Sequence, residues 1–479
     1  MTPRSLRKPG AASVLLHPWA PYAAIGLSFI AIAALLVLNA ALPIGLALLA
    51  IAVSFGAWLL VSQHERRGNR VDVRIIAIAV GVLMVAAVAL EPTASRDLWS
   101  YTMYGRLISH HGVSPYSHVP SDFPHDPFLR LVGTEWRNTA SVYGPLFAVF
   151  SAVGSSVAGG SALVARLFHQ TGAAIAVTIS LVLIWRRTTS PAAVMLVGLN
   201  SLVIVSVVNN GHNDALVGLG LLGALLLTER QRWRPAGLAL AAAALIKITA
   251  LLALPALALW ILHRHGRRPA AYLCAFAITP IAVGYAIAGP AAITALNADH
   301  QRISRASAWQ AVRSLIGIDQ FKTFFGLSHS SWISALGLGA IALVALLSLA
   351  VAWRQRRNPD LAGVVSLALT AYLVAGIYVL TWYCIWVIPI ASLARRRVIT
   401  IYVASLGAFI TAVYFLKYRA LPGSVEPEWH WVGAYVGPFL FLAAYLIIAS
   451  GRFDERFGQS RPSDRSEEPA VNPDAATRS

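Results

Sequence analysis

Acidic residues are scarce in this chain. Of 479 residues only 20 are Asp or Glu, against 38 Lys or Arg, and charged residues make up 12%. So little charge excludes a string of soluble domains, although the length alone would allow about three. Cysteine is nearly absent: Cys274 and Cys384 both lie in apolar runs. Two such thiols exclude a disulfide framework and a CxxC metal site. No HExxH occurs, and the His110–His111 pair has no third ligand at sensible spacing, so no metal and no cofactor are expected. No fixed-period repeat is visible either.

What remains is apolar. Hydrophobic residues make up 57% and mean hydropathy is +0.65. Runs near the roughly 20 residues that cross a bilayer recur from residue 22 to residue 450. Candidate spans are 22–42, 44–62, 72–90, 143–158, 162–185, 191–208, 214–228, 235–262, 270–289, 332–353, 361–380, 382–394, 399–416 and 432–450. The fold class expected is an all-α polytopic membrane protein of about 13 transmembrane or partial helices with external loops. Residues 1–450 form one membrane domain in this reading, and the polar stretch 451–479 is a disordered inner tail.

The net charge of +18 invites a nucleic-acid reading, but its placement argues against one. The basic residues sit in short loops: His64–Arg70, Trp185–Arg187, Arg230–Arg234, Arg264–Arg268, Arg354–Arg357 and Arg395–Arg397. Those are inner-side stop signals. They also favour anionic headgroups, so membrane lipids are expected partners and nucleic acid is not. Arg4, Arg7 and Lys8 keep the amino terminus inside, with a retained first helix. Residues 91–142 then become a first large external loop with interfacial helices, and 290–331 a second.

Three segments break simple counting. The 143–158 stretch is short and Gly-rich and reads as a partial span. The 235–262 run is too long for one helix, carries Lys247 in its middle and has basic loops at both ends, which fits a re-entrant pair of half-helices. The spans 191–208 and 214–228 form a hairpin whose tip is Asn209–Asp214, NNGHND.

Chemistry concentrates in few places. Asp97 stands where the third span ends, with Tyr101 four residues on. It is either a general base or the N-cap of an interfacial helix. Arg106, His110, His111, Tyr116 and Tyr143 follow in the same external stretch, as sugar contacts or as a solvated and interfacial belt. In the hairpin tip, Asn209, His212, Asn213 and Asp214 either close a sugar site or make a polar turn. Trp382 and Tyr383 offer a platform for a sugar face or prenyl chain, or belong to an aromatic belt. Lys247 needs a partner or an aqueous cavity. Arg302 and Arg305 are external cations against the topological bias, for a phosphate or for headgroups.

The segments SRDLWSYTMYGRLISHHGVSPYS, DPFL…W…VYGPLF, GHNDALVGLGLL and LAAAALIKITALLALP, in this order and spacing, resemble actinobacterial polyprenyl-phosphomannose-dependent α-1,6-mannosyltransferases of the GT-C class. The resemblance covers about residues 70–400. It implies a GT-C-like bundle and sugar transfer on the outer side of the plasma membrane. The implied donor is a polyprenyl-phosphate sugar and the implied acceptor a lipid-anchored glycan such as a growing mannan. Asp97 falls where that family has its first-external-loop aspartate, the general base. Arg106 departs from the less basic residue often found there. Breaking a lipid-phosphate–sugar bond leaves added charge on phosphate, which Lys247, Arg302 and Arg305 are placed to stabilise. Competing readings are transfer of another polyprenyl-linked sugar such as arabinose, a polyprenyl-linked sugar flippase or transporter, and an inert scaffold.

Overall fold

In a bilayer an apolar run has few options, because a helix satisfies its backbone N–H and C=O groups internally. The computed structural model describes residues 17–298, 303–316, 329–419 and 436–451, and among these no strand occurs. Among the described residues seven helices are long and apolar enough to cross a membrane, or eight if the bent pair Pro191–Gly198 and Leu202–Asn209 is one span. Shorter apolar helices fill the gaps between them. The protein is therefore an all-α polytopic membrane protein. Its basic amino-terminal stretch, Arg302 and the tail from 452 onward lie outside the described residues.

The chain opens with α1 (Ala20–Leu38), α2 (Ile44–Arg66) and α3 (Val73–Ala89). Next come α4 (Asp97–Ser109), α5 (Pro145–Ala158), α6 (Ala162–Thr188) and α7 (Pro191–Gly198), the last followed by a π-helical stretch, Leu202–Asn209. The 48° bend between α7 and that stretch has a local cause. The Asn200 side chain accepts from the Leu202 N–H and donates to the Leu196 carbonyl, replacing backbone bonds that the break loses.

Basic turns far apart in sequence gather at one end of the bundle. Glu65 accepts from the Ala192 N–H at 2.9 Å. Arg187 pairs with Glu229 at 2.7 Å, where α8 (Asp214–Glu229) finishes. Arg264 donates to the Arg357 carbonyl at 3.2 Å. Asp360 accepts from the Arg395 and Arg396 N–H groups at 3.0 and 3.2 Å.

The opposite end is built differently. Helices α4 and α5 lie side by side there: Ser155 donates to the Thr102 carbonyl at 2.7 Å, and a Cβ at Gly105 would collide with the Ser151 carbonyl. Helix α5 starts at Gly144, whose N–H donates to Ile246, and stops at Gly159, whose carbonyl accepts from Arg106. Both ends of α5 therefore lie at this end of the bundle. It does not cross, and its Leu146, Val149, Val153 and Val157 form an exposed apolar stripe.

The 235–262 run breaks at Lys247, as expected, but into a hairpin rather than two half-helices, since Ile248–His265 alone is long and apolar enough to cross. Helix α9 (Trp233–Ile246) breaks at Lys247, which has extended backbone (φ −149°, ψ 114°). A 3-10 turn, Ile248–Ala253, leads into α10 (Leu254–His265). The Trp233 and His265 rings lie 4.9 Å apart, so this hairpin enters and leaves by the basic end and presents Lys247 at the other. The remaining long helices are α11 (Arg267–Ala288), α12 (Pro290–Ala298), α13 (Ala308–Ile316), α14 (His329–Arg354), α15 (Leu361–Ala375), α16 (Arg397–Arg419) and α17 (Gly437–Ala449).

Cysteine scanning checks this two-ended arrangement. Ser117 and Arg357 are both exposed, in the Asp97-side loop and in a basic turn respectively. On intact cells an impermeant thiol reagent should label Ser117→Cys and leave Arg357→Cys unlabelled until the membrane is opened.

Candidate functional site

Asp97 is positioned from below by two asparagines. Asn209 donates to the Ala87 and Glu91 carbonyls at 3.0 Å and accepts from the Thr93 N–H and hydroxyl, also at 3.0 Å. Asn210 accepts from the Ala94 and Ser95 N–H groups at 3.0 and 3.1 Å. Residues 91–96 are thereby clipped to the hairpin tip. Asp97 opens α4 from this fixed loop, and its N–H donates to the Ser95 hydroxyl at 3.1 Å. Arg96, not Asp97, occupies the helix cap, so the capping reading of Asp97 does not hold. The Asp97 side chain is 13% exposed. Burial pushes its carboxyl up to about 7; Lys247 pulls the other way and Asp214 adds to the rise.

Two polar pairs stand beside it. The His212 Nδ1 lies 3.1 Å from the Tyr101 hydroxyl and 3.8 Å from Asp97 Oδ2, and its ring stacks on Trp382 at 3.7 Å. Asp214 accepts from Lys247 Nζ at 3.0 Å and from Trp386 Nε1 at 2.8 Å. The ammonium also sits 3.9 Å from the centre of the Tyr383 ring and 5.2 Å from that of Trp386. Such a cage keeps a cation in an apolar setting while leaving it short of full neutralisation.

Two cavities meet here. A polar one of about 660 Å³ is lined by Ser95, Asp97, Glu135, Trp136, Ser304 and Trp382, among others. An apolar groove of about 530 Å³ runs between α10, α14 and α15, with Leu251, Leu252, Val344 and Leu349 on its walls and Lys247 and Tyr383 at its head. A narrow throat of about 10 Å³ lies between them and shares wall residues with each, lined by Asp97, Tyr143, Lys247, Trp382 and Tyr383. The adjacent Trp382 and Tyr383 thus divide the work: Trp382 faces the polar cavity and Tyr383 the groove.

Asp97, Tyr143, Lys247, Trp382 and Tyr383 are the expected site residues that the fold brings together, with Tyr101 packed behind them. Others it does not. Arg106 lies nine residues along α4, about 14 Å from Asp97 on the helix axis. It is buried in an ion pair with Asp126 at 2.8 Å, and His111 holds the same carboxylate at 2.8 Å. Burial disfavours charge on Asp126, but the Phe128 N–H, His111 and Arg106 outweigh it and hold the carboxyl below its ordinary value. His110 is exposed beyond them. Arg106, Asp126 and His111 fasten the 110–128 loop, and neither they nor His110 line the cavities. Tyr116 is buried and donates to the Tyr143 carbonyl at 3.0 Å. Asn209, His212, Asn213 and Asp214 are each at most 2% exposed, so the hairpin tip is an interior layer under the site rather than a sugar-contacting surface. Arg305 is described and its neighbour Ser304 lines the polar cavity; Arg302 lies outside the described residues. Among the described residues no group of three or more His, Cys, Asp or Glu gathers as metal ligands.

Sequence reasoning missed Ser95, Thr93, Tyr378, Ser304 and the partnering of Trp386 with Asp214. None carries a local signal, since each becomes functional only by what it touches. The Lys247–Asp214 pair makes a direct prediction. Removing one partner of a buried pair typically costs about 3–5 kcal/mol, because the other charge is stranded. Lys247→Met and Asp214→Asn should each lower the melting temperature in detergent, and the double variant should recover part of the loss.

Comparison with known proteins agrees with this geometry. Residues 12–264 match the family described as alpha-(1->6)-mannopyranosyltransferase, N-terminal domain, a stretch that contains Asp97, Asp214 and Lys247. The chain is 27% identical over 429 residues to alpha-(1->6)-mannopyranosyltransferase A of Mycobacterium tuberculosis, spanning 83% of this chain and 79% of that one. It is 30% identical over 257 residues to alpha-(1->6)-mannopyranosyltransferase A of Corynebacterium glutamicum, covering 50% of each. A probable alpha-(1->6)-mannopyranosyltransferase of Mycolicibacterium smegmatis is 26% identical over 394 residues, 71% of this chain and 69% of its own length. With a family match over more than half of its length and an all-helical membrane architecture, the chain belongs to the alpha-(1->6)-mannopyranosyltransferase family of glycosyltransferases.

Proposed function

We propose that this protein moves a mannosyl residue from a polyprenyl-phosphate donor to a hydroxyl of a lipid-anchored mannan, on the outer face of the plasma membrane. One observation carries the reading: a single carboxylate and a single ammonium line the throat between a polar cavity and an apolar groove. That is the division a lipid-linked sugar demands. The prenyl chain lies in the groove, its phosphate at Lys247, the anomeric carbon in the throat and the acceptor glycan in the polar cavity.

The chemistry follows from those positions. Asp97, as the carboxylate, accepts the proton of the acceptor hydroxyl. The hydroxyl oxygen bonds to the anomeric carbon as the bond from that carbon to the phosphate oxygen breaks. The electron pair leaves on the phosphate, which gains charge, and the Lys247 ammonium is the cation placed to meet it. Asp214 takes one of the three ammonium donors, so others remain for a phosphate oxygen. Attack from the polar cavity and departure into the groove are on opposite sides of the sugar, so the transfer inverts the anomeric centre in one displacement. The orientation of the site follows from the basic turns at the far end, which the positive-inside rule places in the cytoplasm.

Purified protein given polyprenyl-phosphate mannose and a short mannoside acceptor tests this. Asp97→Asn should lose at least about 10²-fold in turnover while still binding the donor. Near-normal turnover by Asp97→Ala would remove the base from the scheme and favour a transport role. Because ionised Asp97 is the active form, kcat/KM should climb as pH rises through about 7 and level off above it. Ala345→Trp, on the groove wall, should raise KM about tenfold for a long-chain donor and leave a short-chain donor unaffected.

A further inference from the structure

The throat is rich in aromatic rings. Trp136, Tyr143, Tyr378, Trp382 and Tyr383 stand around its one carboxylate and one ammonium. They sort by what else they line. Tyr383 also lines the apolar groove, and Tyr378 lines both larger spaces. Trp136 and Trp382 line the polar cavity and not the groove. Trp382 has one face taken, since the His212 ring stacks on it at 3.7 Å. Trp136 comes from elsewhere, the single helical turn Thr134–Arg137 between α4 and α5.

That turn is fastened at several points. The Trp136 N–H donates to the Gly133 carbonyl at 2.9 Å, and the Thr139 hydroxyl to the Glu135 carbonyl at 3.0 Å. Arg137 donates to the Val132 and Arg130 carbonyls at 3.1 and 3.2 Å. Tyr104 donates to the Thr139 carbonyl at 2.9 Å, which ties the turn to α4, the helix that Asp97 opens. Glu135 is exposed and lines the polar cavity but not the throat. Its charge is close enough to act on Asp97.

We infer that this turn is the acceptor's sugar platform: the Trp136 indole packs against the mannosyl residue whose hydroxyl attacks, and Glu135 accepts hydrogen bonds from the hydroxyls of the next residue out. This rests on reading the polar cavity as the acceptor's.

A pyranose suits both side chains. Between its hydroxyls it carries patches of C–H bonds, and such polarised hydrogens pack on the negative face of an aromatic ring. Its hydroxyls are donors, and a carboxylate is the strong acceptor for them. One Glu135 oxygen accepts from the Thr134 hydroxyl at 3.4 Å, and an ionised carboxylate has room for further donors. The order along the glycan follows from the walls. Trp136 shares the throat with Asp97 and so meets the reacting residue. Glu135 stands only in the outer space and meets the residue behind it. The cavity wall carries two carboxylates, Asp97 and Glu135, against one cation, Arg96, which suits a neutral saccharide better than an anion.

The test uses initial rates of full-length protein in detergent with polyprenyl-phosphate mannose and two acceptors, an alkyl mannoside and the matching α-1,6-dimannoside. Trp136→Leu should raise KM for both acceptors about tenfold and leave donor KM unchanged. Trp136→Tyr keeps a ring and should hold acceptor KM within about threefold of the wild type. Glu135→Ala should raise KM about tenfold for the dimannoside and leave that of the single mannoside unmoved. A merely structural turn would lower kcat for both acceptors alike, with no rescue by tyrosine and no dependence on acceptor length. A folded Trp136→Leu with wild-type acceptor KM, or one whose donor KM rises in step, overturns the inference. If that variant does not fold, the exposed Glu135 decides: a loss confined to the dimannoside supports the platform, and equal KM changes for both acceptors, or none, overturn it. Wild-type protein that transfers mannose to neither acceptor would sink the proposed reaction and this inference with it. Transfer by the wild type with acceptor KM unmoved in the variants would remove only the platform.

Discussion

One ion pair organises the site end of this protein. Lys247 lies in a run that is apolar on both sides, and an ammonium there must find an anion or water. It finds Asp214, the first residue of α8, on a different hairpin. The pairing stops α9 at Lys247 and brings two helical hairpins together. It also sets Tyr383 and Trp386 as the cage around the charge. Since a stranded member of such a pair is costly, the break in α9 and the hairpin tip are locked to each other. The apolar groove begins at this junction, and the throat passes beside it.

Around that pair the polar residues form layers. Asn209 and Asn210 satisfy backbone groups of residues 87–95, and so convert the loop after α3 into a fixed ledge. Gly144 closes the other side: its N–H bonds to Ile246, and any side chain there would collide with the Leu245 carbonyl. Asp97 stands on the ledge, one wall of the throat, and Lys247 is the other. Buried polar groups that are bonded to one another make a rigid frame, and a rigid frame holds the facing side chains of a site in fixed positions.

The far end of α4 has a separate economy. Arg106, Asp126 and His111 form a closed cluster, with Arg106 also over the Phe128 ring and His111 stacked on Phe123. Its charges are spent within it. The cluster fixes the 110–128 loop against α4 and α5 and leaves the chemistry to the Asp97 end.

Much of this was legible in the chain. Apolar run length determines helices in a bilayer, and basic turns determine which ends share a side, so the architecture followed from composition and order. Asp97 and Lys247 also stood out, because a charge at the edge or middle of an apolar run is expensive enough to need a purpose. The interrupted 235–262 run betrayed its break for the same reason. What the sequence could not decide was depth. Asn209, His212 and Asp214 read as a solvent-facing tip, yet the bundle buries them as the layer behind the site. Arg106 and His111 read as substrate contacts, yet Asp126 takes them. Trp382 and Tyr383 read alike, yet one faces the polar cavity and the other the groove. Local sequence determines which groups need partners; only the packing of distant segments decides which partner each one meets, because hydrogen bonds and ion pairs act over a few ångströms while these residues lie tens to hundreds of positions apart.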